Sequence, residues 1–202
     1  MPPPTSPPLR TGRAGGDAGT LDGVSADVGW LAEHIRDIPD YPKPGITFRD
    51  ITPLLADAKA FGACVDALAD VVSGHTAGGR VDKVLGMEAR GFILAAPVAY
   101  KLGAAFVPVR KSGKLPWAVA REEYSLEYGD DRLEIHRDAI HPGERVLVVD
   151  DVLATGGTAA AVDRLVSGLG GSVAGFSFLI ELAALSGRSR LADRPVTSLL
   201  TY

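Results

Sequence analysis

A chain of 202 residues with 46% hydrophobic and 23% charged residues is long enough for one sizeable core and has the composition of an ordinary globular domain. Its formal net charge of −4 gives no reason to expect nucleic acid or an anionic membrane as a general partner, so any anion must be captured locally. The single cysteine excludes an intrachain disulfide, no segment is apolar for long enough to span a membrane, and the start lacks the apolar core of a signal peptide; the cytoplasm is the expected compartment.

Residues 1–25 are rich in Pro, Gly, Ser and Thr and lack periodic apolar positions, which reads as a disordered arm. Residues 26–202 read as a single domain. Val28, Leu31, Ala32 and Ile35 fall at helical spacing, and Ile38-Pro39 stops that helix. From Tyr41 to Pro53 three prolines and Gly45 predict an ordered loop. Asp57 to Val72 then reads as an amphipathic helix with Phe61, Cys64, Val65 and Leu68 on one face and Gly74 beyond its end, which makes Cys64 a core residue rather than a reactive one. His34, His75, His136 and His141 are scattered without metal-ligand spacing, so no zinc site is expected.

Val81 to Leu85 is a first core strand. The loop Gly86-Met87-Glu88-Ala89-Arg90-Gly91 follows it, and then an apolar helix from near Phe92 to near Leu102-Gly103. Ala105 to Val109 is another strand, after which Arg110, Lys111 and Lys114 crowd around Gly113 in what reads as a loop. Glu122 to Tyr128 and Arg132 to Ile135, separated by Gly129-Asp130-Asp131, predict an antiparallel hairpin.

The stretch from Glu144 to Thr158, ERVLVVDDVLATGGT, is the most informative. Val146 to Val149 is a continuous, mostly β-branched run, the pattern of a strand buried on both faces of a parallel sheet. Asp150 and Asp151 follow at its end, facing solvent. Ala154, Thr155, Gly156, Gly157 and Thr158 are small enough for backbone N–H groups to converge, and Ala159 to Leu169 resumes helical spacing. Such a loop at a helix N-terminus suits a phosphate monoester. Carboxylates repel that phosphate, but they accept hydrogen bonds from vicinal hydroxyls and stabilise a sugar ring that turns cationic. The combination specifies a phosphorylated ribose and leaves the acceptor open. Val173 to Ile180 and Val196 to Leu200 complete an α/β pattern of strands alternating with helices.

The thirteen residues VLVVDDVLATGGT closely resemble the phosphoribosyl-diphosphate (PRPP) signature of the type I phosphoribosyltransferases, and the ATGGT form resembles the adenine-specific branch of that family. The resemblance covers residues 26–202. It implies a central, mainly parallel sheet flanked by helices, with a small N-terminal hood and base-binding loop over 26–56. In the segment GITFRD it implies that Thr47, Phe48 and Arg49 meet adenine, with Val152, usually leucine in the family, beneath the base. In GMEARGF it implies a diphosphate loop of Glu88, Ala89 and Arg90, often carrying a cis peptide. Arg110, Lys111 and Lys114 resemble the start of a loop that closes over the diphosphate, and many members have proline in place of Ser112, which implies a freer loop here. In EYSLEYG it implies Glu127 as proton handler at purine N7 and Tyr128 near the diphosphate.

Asp150 and Asp151 would hold the ribose, and Ala154, Thr155, Gly156, Gly157 and Thr158 its phosphate. The implied activity is purine salvage: adenine and PRPP giving AMP and pyrophosphate, with Mg²⁺ carried by PRPP rather than by a protein cage, in a homodimer. Two alternatives stay open: a transferase for another 6-substituted purine, or a PRPP-sensing regulator of the same fold.

Overall fold

The computed structural model describes residues 28–75, 80–126, 129–191 and 194–202. The arm expected over 1–25 lies outside them, as do Glu127 and Tyr128.

The chain enters through a 3-10 helix, Gly29–His34, and two short strands, β1 (Arg36–Ile38) and β2 (Phe48–Asp50), paired antiparallel with Ile38 opposite Phe48. The expected helix running to Ile38 is therefore corrected. Leu31 is sealed in the core, but Ile35 is already extended. The next three residues find hydrogen-bond partners across the loop rather than along a helix, because pairing with β2 satisfies their backbone. Asp50 then accepts bonds from Thr52 N–H (3.0 Å) and Thr52 Oγ1 (2.8 Å), starting α1 (Thr52–Ala56), with Pro53 in its first turn where a missing N–H costs nothing.

The helix α2 (Ala58–His75) is N-capped by Asp57, which accepts from Ala60 N–H at 2.8 Å; Gly74, expected beyond its end, falls inside it. Then follow β3 (Lys83–Met87), α3 (Arg90–Leu102), ended by Gly103 at φ 62°, β4 (Ala105–Lys111), β5 (Val119–Leu126), β6 (Gly129–His136), β7 (Arg145–Leu153), α4 (Gly157–Gly168), β8 (Ser172–Glu181) and β9 (Val196–Thr201). Two further 3-10 turns, Ala183–Leu185 and Gly187–Leu191, join the last two strands.

Seven strands form one sheet in the order β5-β6-β4-β3-β7-β8-β9, parallel from β4 to β9, with the β5–β6 hairpin added antiparallel beside β4. Val84, Leu85 and Val146 to Val149 are almost completely buried. One face is covered by α1, α2 and α3, and the other by α4 and the hairpin. Each fully buried Val or Leu contributes roughly 1.5–3 kcal/mol, so the central strands are the fixed part of the molecule. From β3 the chain crosses to β4 on one side, and from β7 to β8 on the other. Connections that diverge from adjacent strands open a crevice at their C-terminal ends, where ligands of such sheets bind. Among the described residues no helix is long and apolar enough to cross a membrane.

Candidate active site

Everything that follows β3 and β7 opens into that crevice. The strand β7 does not stop at Val149: β8 keeps pairing with it through Val152 and Leu153, so both acids lie inside a nine-residue strand. The expected solvent-facing position is thus corrected, since Asp151 is only 5% exposed. Burial first, and then the negative charge of Asp151, raise the Asp150 carboxyl well above the usual carboxylate range. Asp151 Oδ2 lies 2.8 Å from Arg90 Nε. That contact is one of charge rather than an aligned hydrogen bond, so Oδ2 has no hydrogen-bond partner among the described residues. A buried carboxylate oxygen with an unmet acceptor is what a sugar hydroxyl would satisfy.

Beyond Leu153 only Ala154, Thr155 and Gly156 intervene before α4 begins. Gly156 has φ +78°, a left-handed conformation that glycine adopts at little cost, and no side chain caps the helix. The first-turn N–H groups of α4, which have no partner within the helix, thus belong to residues that line the opening. Ala154 to Thr158, with Asp150 and Val152, line a cup of about 140 Å³, a volume suited to a phosphate. Its back is backbone against backbone: a Cβ on Gly156 would strike Gly187 O, and one on Gly187 would strike Ala154 O.

The larger cleft beside the cup, about 430 Å³, brings together Thr47, Phe48, Arg49, Glu88, Ala89, Arg90, Lys111, Asp150, Asp151, Val152, Ala154 and Thr158. The Arg90 guanidinium sits 5.2 Å from the centre of the Phe48 ring, joining the acid pair to the segment between β1 and α1. Arg49 is held from two sides: it pairs with Asp37 on β1, and its guanidinium lies 4.0 Å over the Tyr202 ring. Tyr41 packs edge-on against Phe48. Phe48 is thus half-buried, with its ring shared between loop packing and the cleft.

The Glu88–Ala89 peptide bond is cis, as the resemblance implied. Although burial alone would raise the Glu88 pKa, hydrogen bonds from Lys114, Arg110 and the Lys111 N–H bring its carboxyl down to about 2. Arg110 Nε lies 3.2 Å and the Lys111 N–H nitrogen 3.1 Å from Glu88 Oε2, while Lys114 Nζ bonds Oε1. Arg110 and Lys111 were expected in a loop; they extend β4 instead, because β6 pairs with them, Arg110 opposite Glu134 and Lys111 opposite Leu133. Arg110 and Lys114 do not line the cleft themselves but reach its wall through Glu88. Nor is Ser112 a loose point, since its hydroxyl donates to Glu134 at 2.8 Å.

Sequence reasoning missed Ile46, Met87, Tyr124, Leu133 and Leu182, which also line the cleft. Only the alternation of β5 and β6 could have flagged Tyr124 and Leu133, as inward positions. Nothing local marks Leu182, which follows β8 and comes near because that strand lies beside β7. Among the described residues no group of three or more His, Cys, Asp or Glu converges on one point, and the oxygens of Glu88 are taken up by Arg110, Lys111 and Lys114. The acid pair does suit an ion that arrives with its own phosphate and water ligands.

Residues 54–197 match the family model described as a phosphoribosyl transferase domain. The adenine phosphoribosyltransferase of Acidothermus cellulolyticus is 62% identical over 176 residues, 87% of this chain and 97% of that one. The one from Thermotoga neapolitana is 55% identical, over 85% of this chain and 99% of its own length. Among solved structures, the adenine phosphoribosyltransferase of Thermoanaerobacter pseudethanolicus superimposes with a TM-score of 0.81 at 50% identity, covering 87% of this chain and 99% of that one. The Saccharomyces cerevisiae enzyme, bound to an imino-altritol bisphosphate and adenine, gives 0.82 at 38% identity, covering 86% and 98%. The likeness runs through both strand–loop–helix units that build the cleft, and the chain belongs to the phosphoribosyl transferase domain family.

Proposed function

We propose that this chain transfers the phosphoribosyl group of PRPP to adenine, giving AMP and pyrophosphate in purine salvage. The observation that carries this reading is the meeting of the base loop, the Glu88–Arg90 loop and the acid pair around one cleft, with the phosphate cup opening beside it. Relatives named adenine phosphoribosyltransferase support it at up to 62% identity.

In this reading the Ala154–Thr158 backbone and hydroxyls take the 5′-phosphate, while Asp150 and Asp151 accept the ribose hydroxyls and offset the positive charge that builds on the ring as the leaving group departs. Arg90, Arg110, Lys111 and Lys114 draw the diphosphate; Glu88 holds Arg110 and Lys114 ready, and the family resemblance adds Tyr128 as a diphosphate contact. Adenine lies between Phe48 and Val152, with Thr47 and Arg49 at its edge, and Glu127 handles the N7 proton. Magnesium, brought by PRPP, supplies charge neutralisation at the diphosphate oxygens. Holding the reactants in line and excluding water account for most of the acceleration, because there is little covalent work for the protein to do.

The same reading makes the chain a cytoplasmic homodimer. Ile93 and Tyr100 on α3 are 45% and 90% exposed, and Phe106, in contact with Phe92, is 37% exposed. An apolar helix face of this kind gains by being covered.

Pyrophosphate release, measured with PRPP, magnesium and each of adenine, hypoxanthine, guanine and xanthine, is the direct test. Turnover with adenine exceeding the others by at least about a hundredfold is expected, since a site that reads the 6-amino group by hydrogen bonds rejects bases that carry a 6-oxo group in its place. Preference for another base would identify a different purine transferase. Tight PRPP binding with no release for any base would identify a sensor.

A further inference from the structure

Glu134 plays no part in the chemistry described above, yet it is one of the most thoroughly enclosed charges in the molecule. It sits on β6 opposite Arg110 and is 1% exposed. Burying a carboxylate is costly unless its oxygens are fully taken up. Here they are. Oε1 accepts from Ser112 Oγ at 2.8 Å and from Arg121 Nε at 2.7 Å, and Oε2 accepts from the Gly113 N–H at 2.9 Å. Burial alone would raise its pKa, but these donors prevail and keep the carboxyl below its ordinary range, so the bonds persist at neutral pH.

The turn that Glu134 grips is the one that carries the cations. Arg110 to Lys114 is held on the cleft side by Glu88, which bonds Arg110, the Lys111 N–H and Lys114. It is held on the sealed side by Glu134, which bonds the hydroxyl of Ser112 and the backbone of Gly113. The two grips differ in kind. A diphosphate competes with Glu88 for the same cations and loosens that hold on arrival. Glu134 is out of reach of any ligand in the cleft and, within this turn, binds no cation, so its hold survives. Ser112 is also fixed through its own N–H, which donates to Arg132 O at 3.1 Å.

We propose that Glu134, acting through Ser112 and Gly113, is a positioning residue for phosphoribosyl transfer: it keeps the Arg110–Lys114 turn aimed at the cleft while the cations change partner from Glu88 to the diphosphate. This rests on the reading above, in which those cations bind the diphosphate. Fixing the turn beforehand removes the ordering cost from the binding step.

The test uses the full chain with adenine, PRPP and magnesium, together with calorimetric binding of inorganic pyrophosphate and a melting curve for each variant. Ser112→Ala should raise KM for PRPP and Kd for pyrophosphate by about fivefold to tenfold, the scale of one hydrogen bond acting through the turn, with KM for adenine within about twofold. Ser112→Thr, which restores the hydroxyl, should recover most of that loss. Glu134→Gln, which keeps the shape but loses the charge, should act in the same direction as Ser112→Ala. If Ser112→Ala and Glu134→Gln fold normally and leave both phosphate affinities unchanged while Lys114→Ala weakens them, this proposal is overturned on its own. If KM rises equally for both substrates, the carboxylate merely supports the fold and the proposal again fails. If Lys114→Ala and Arg110→Ala also leave pyrophosphate binding untouched, the diphosphate reading falls and takes the proposal with it.

Discussion

Two strand–loop–helix units end side by side in the middle of the sheet, and they prepare for anions by opposite means. The β7–α4 unit uses backbone: small residues, a left-handed Gly156 and an uncapped helix start, with no cation in the Ala154–Thr158 cup. The β3–α3 unit uses charge: Glu88 gathers Arg110 and Lys114, and Arg90 leans on Asp151. A backbone cup is set by the fold itself and needs no exchange of partners when phosphate arrives. The cations of the charged unit are already paired, Arg110 and Lys114 with Glu88 and Arg90 with Asp151 of the neighbouring unit, so a bond from any of these three to a ligand replaces one already present. On the proposed function, the difference gives the two units separate tasks, one to anchor the end of the substrate that stays and the other to receive the end that leaves.

The sharpest way to break this comparison is to alter the residue where the units touch. Asp151→Asn removes the carboxylate that Arg90 pairs with, and kcat should fall by about a hundredfold or more, the scale of losing a charge preorganised for the transition state. Single-turnover kinetics at saturating substrates checks it; unchanged turnover would remove the acid pair from the mechanism.

A smaller effect tests the backbone side. Gly187→Ala puts a methyl against Ala154 O, so the cup must shift. KM for PRPP should rise by about tenfold while KM for adenine holds, since half an ångström of displacement spoils several N–H contacts together. Equal changes in both constants would show that the cup is not an independent anchor.

The mildest prediction concerns stability. Asp150 has a raised carboxyl pKa, so ionising it costs folding free energy. A raised value means that stability is fully present below the carboxyl's ordinary pKa of 3.8 and is lost as pH rises through the folded one. Asp150→Asn should therefore melt higher than the parent chain at neutral pH, as a thermal melting curve would read. The advantage should vanish below pH 3.8. A lower melting temperature at pH 7 would mean that the carboxylate is stabilised by contacts other than those described.

Much of this arrangement was legible in the amino-acid order, and the exceptions share a cause. The buried runs of β3 and β7 announce themselves because a strand covered on both faces must be apolar throughout, and Ala154–Thr158 because only small residues let amides converge. The Val28–Ile35 periodicity misled, since the pairing that turns Arg36–Ile38 into a strand comes from Phe48–Asp50, across an intervening loop. Arg110 and Lys111 resembled a loop by charge, but their conformation is dictated by β6. The acids seemed exposed because nothing near them in sequence reveals that β8 follows β7 to Leu153. Gly187 gave no signal at all, for its role is a contact with a loop on another segment. What sequence conveys is chemistry and local period; what it withholds is which distant segment covers which.

The stacking of Arg49 on Tyr202 carries a consequence for partial unfolding. Tyr202 is fixed by its N–H to Glu181 O and by its carbonyl to Ala183 N–H, both at 2.9 Å, so the guanidinium at the edge of the cleft rests on the final strand of the sheet. Strand ends at the margin of a sheet open more readily than its centre. Fraying of β9 would remove one of the two supports of Arg49 and leave the other, Asp37 on β1, while the cup at the end of β7 stays flanked by the central strands. On the proposed function, such a local opening would loosen the purine end of the site before the ribose-phosphate end.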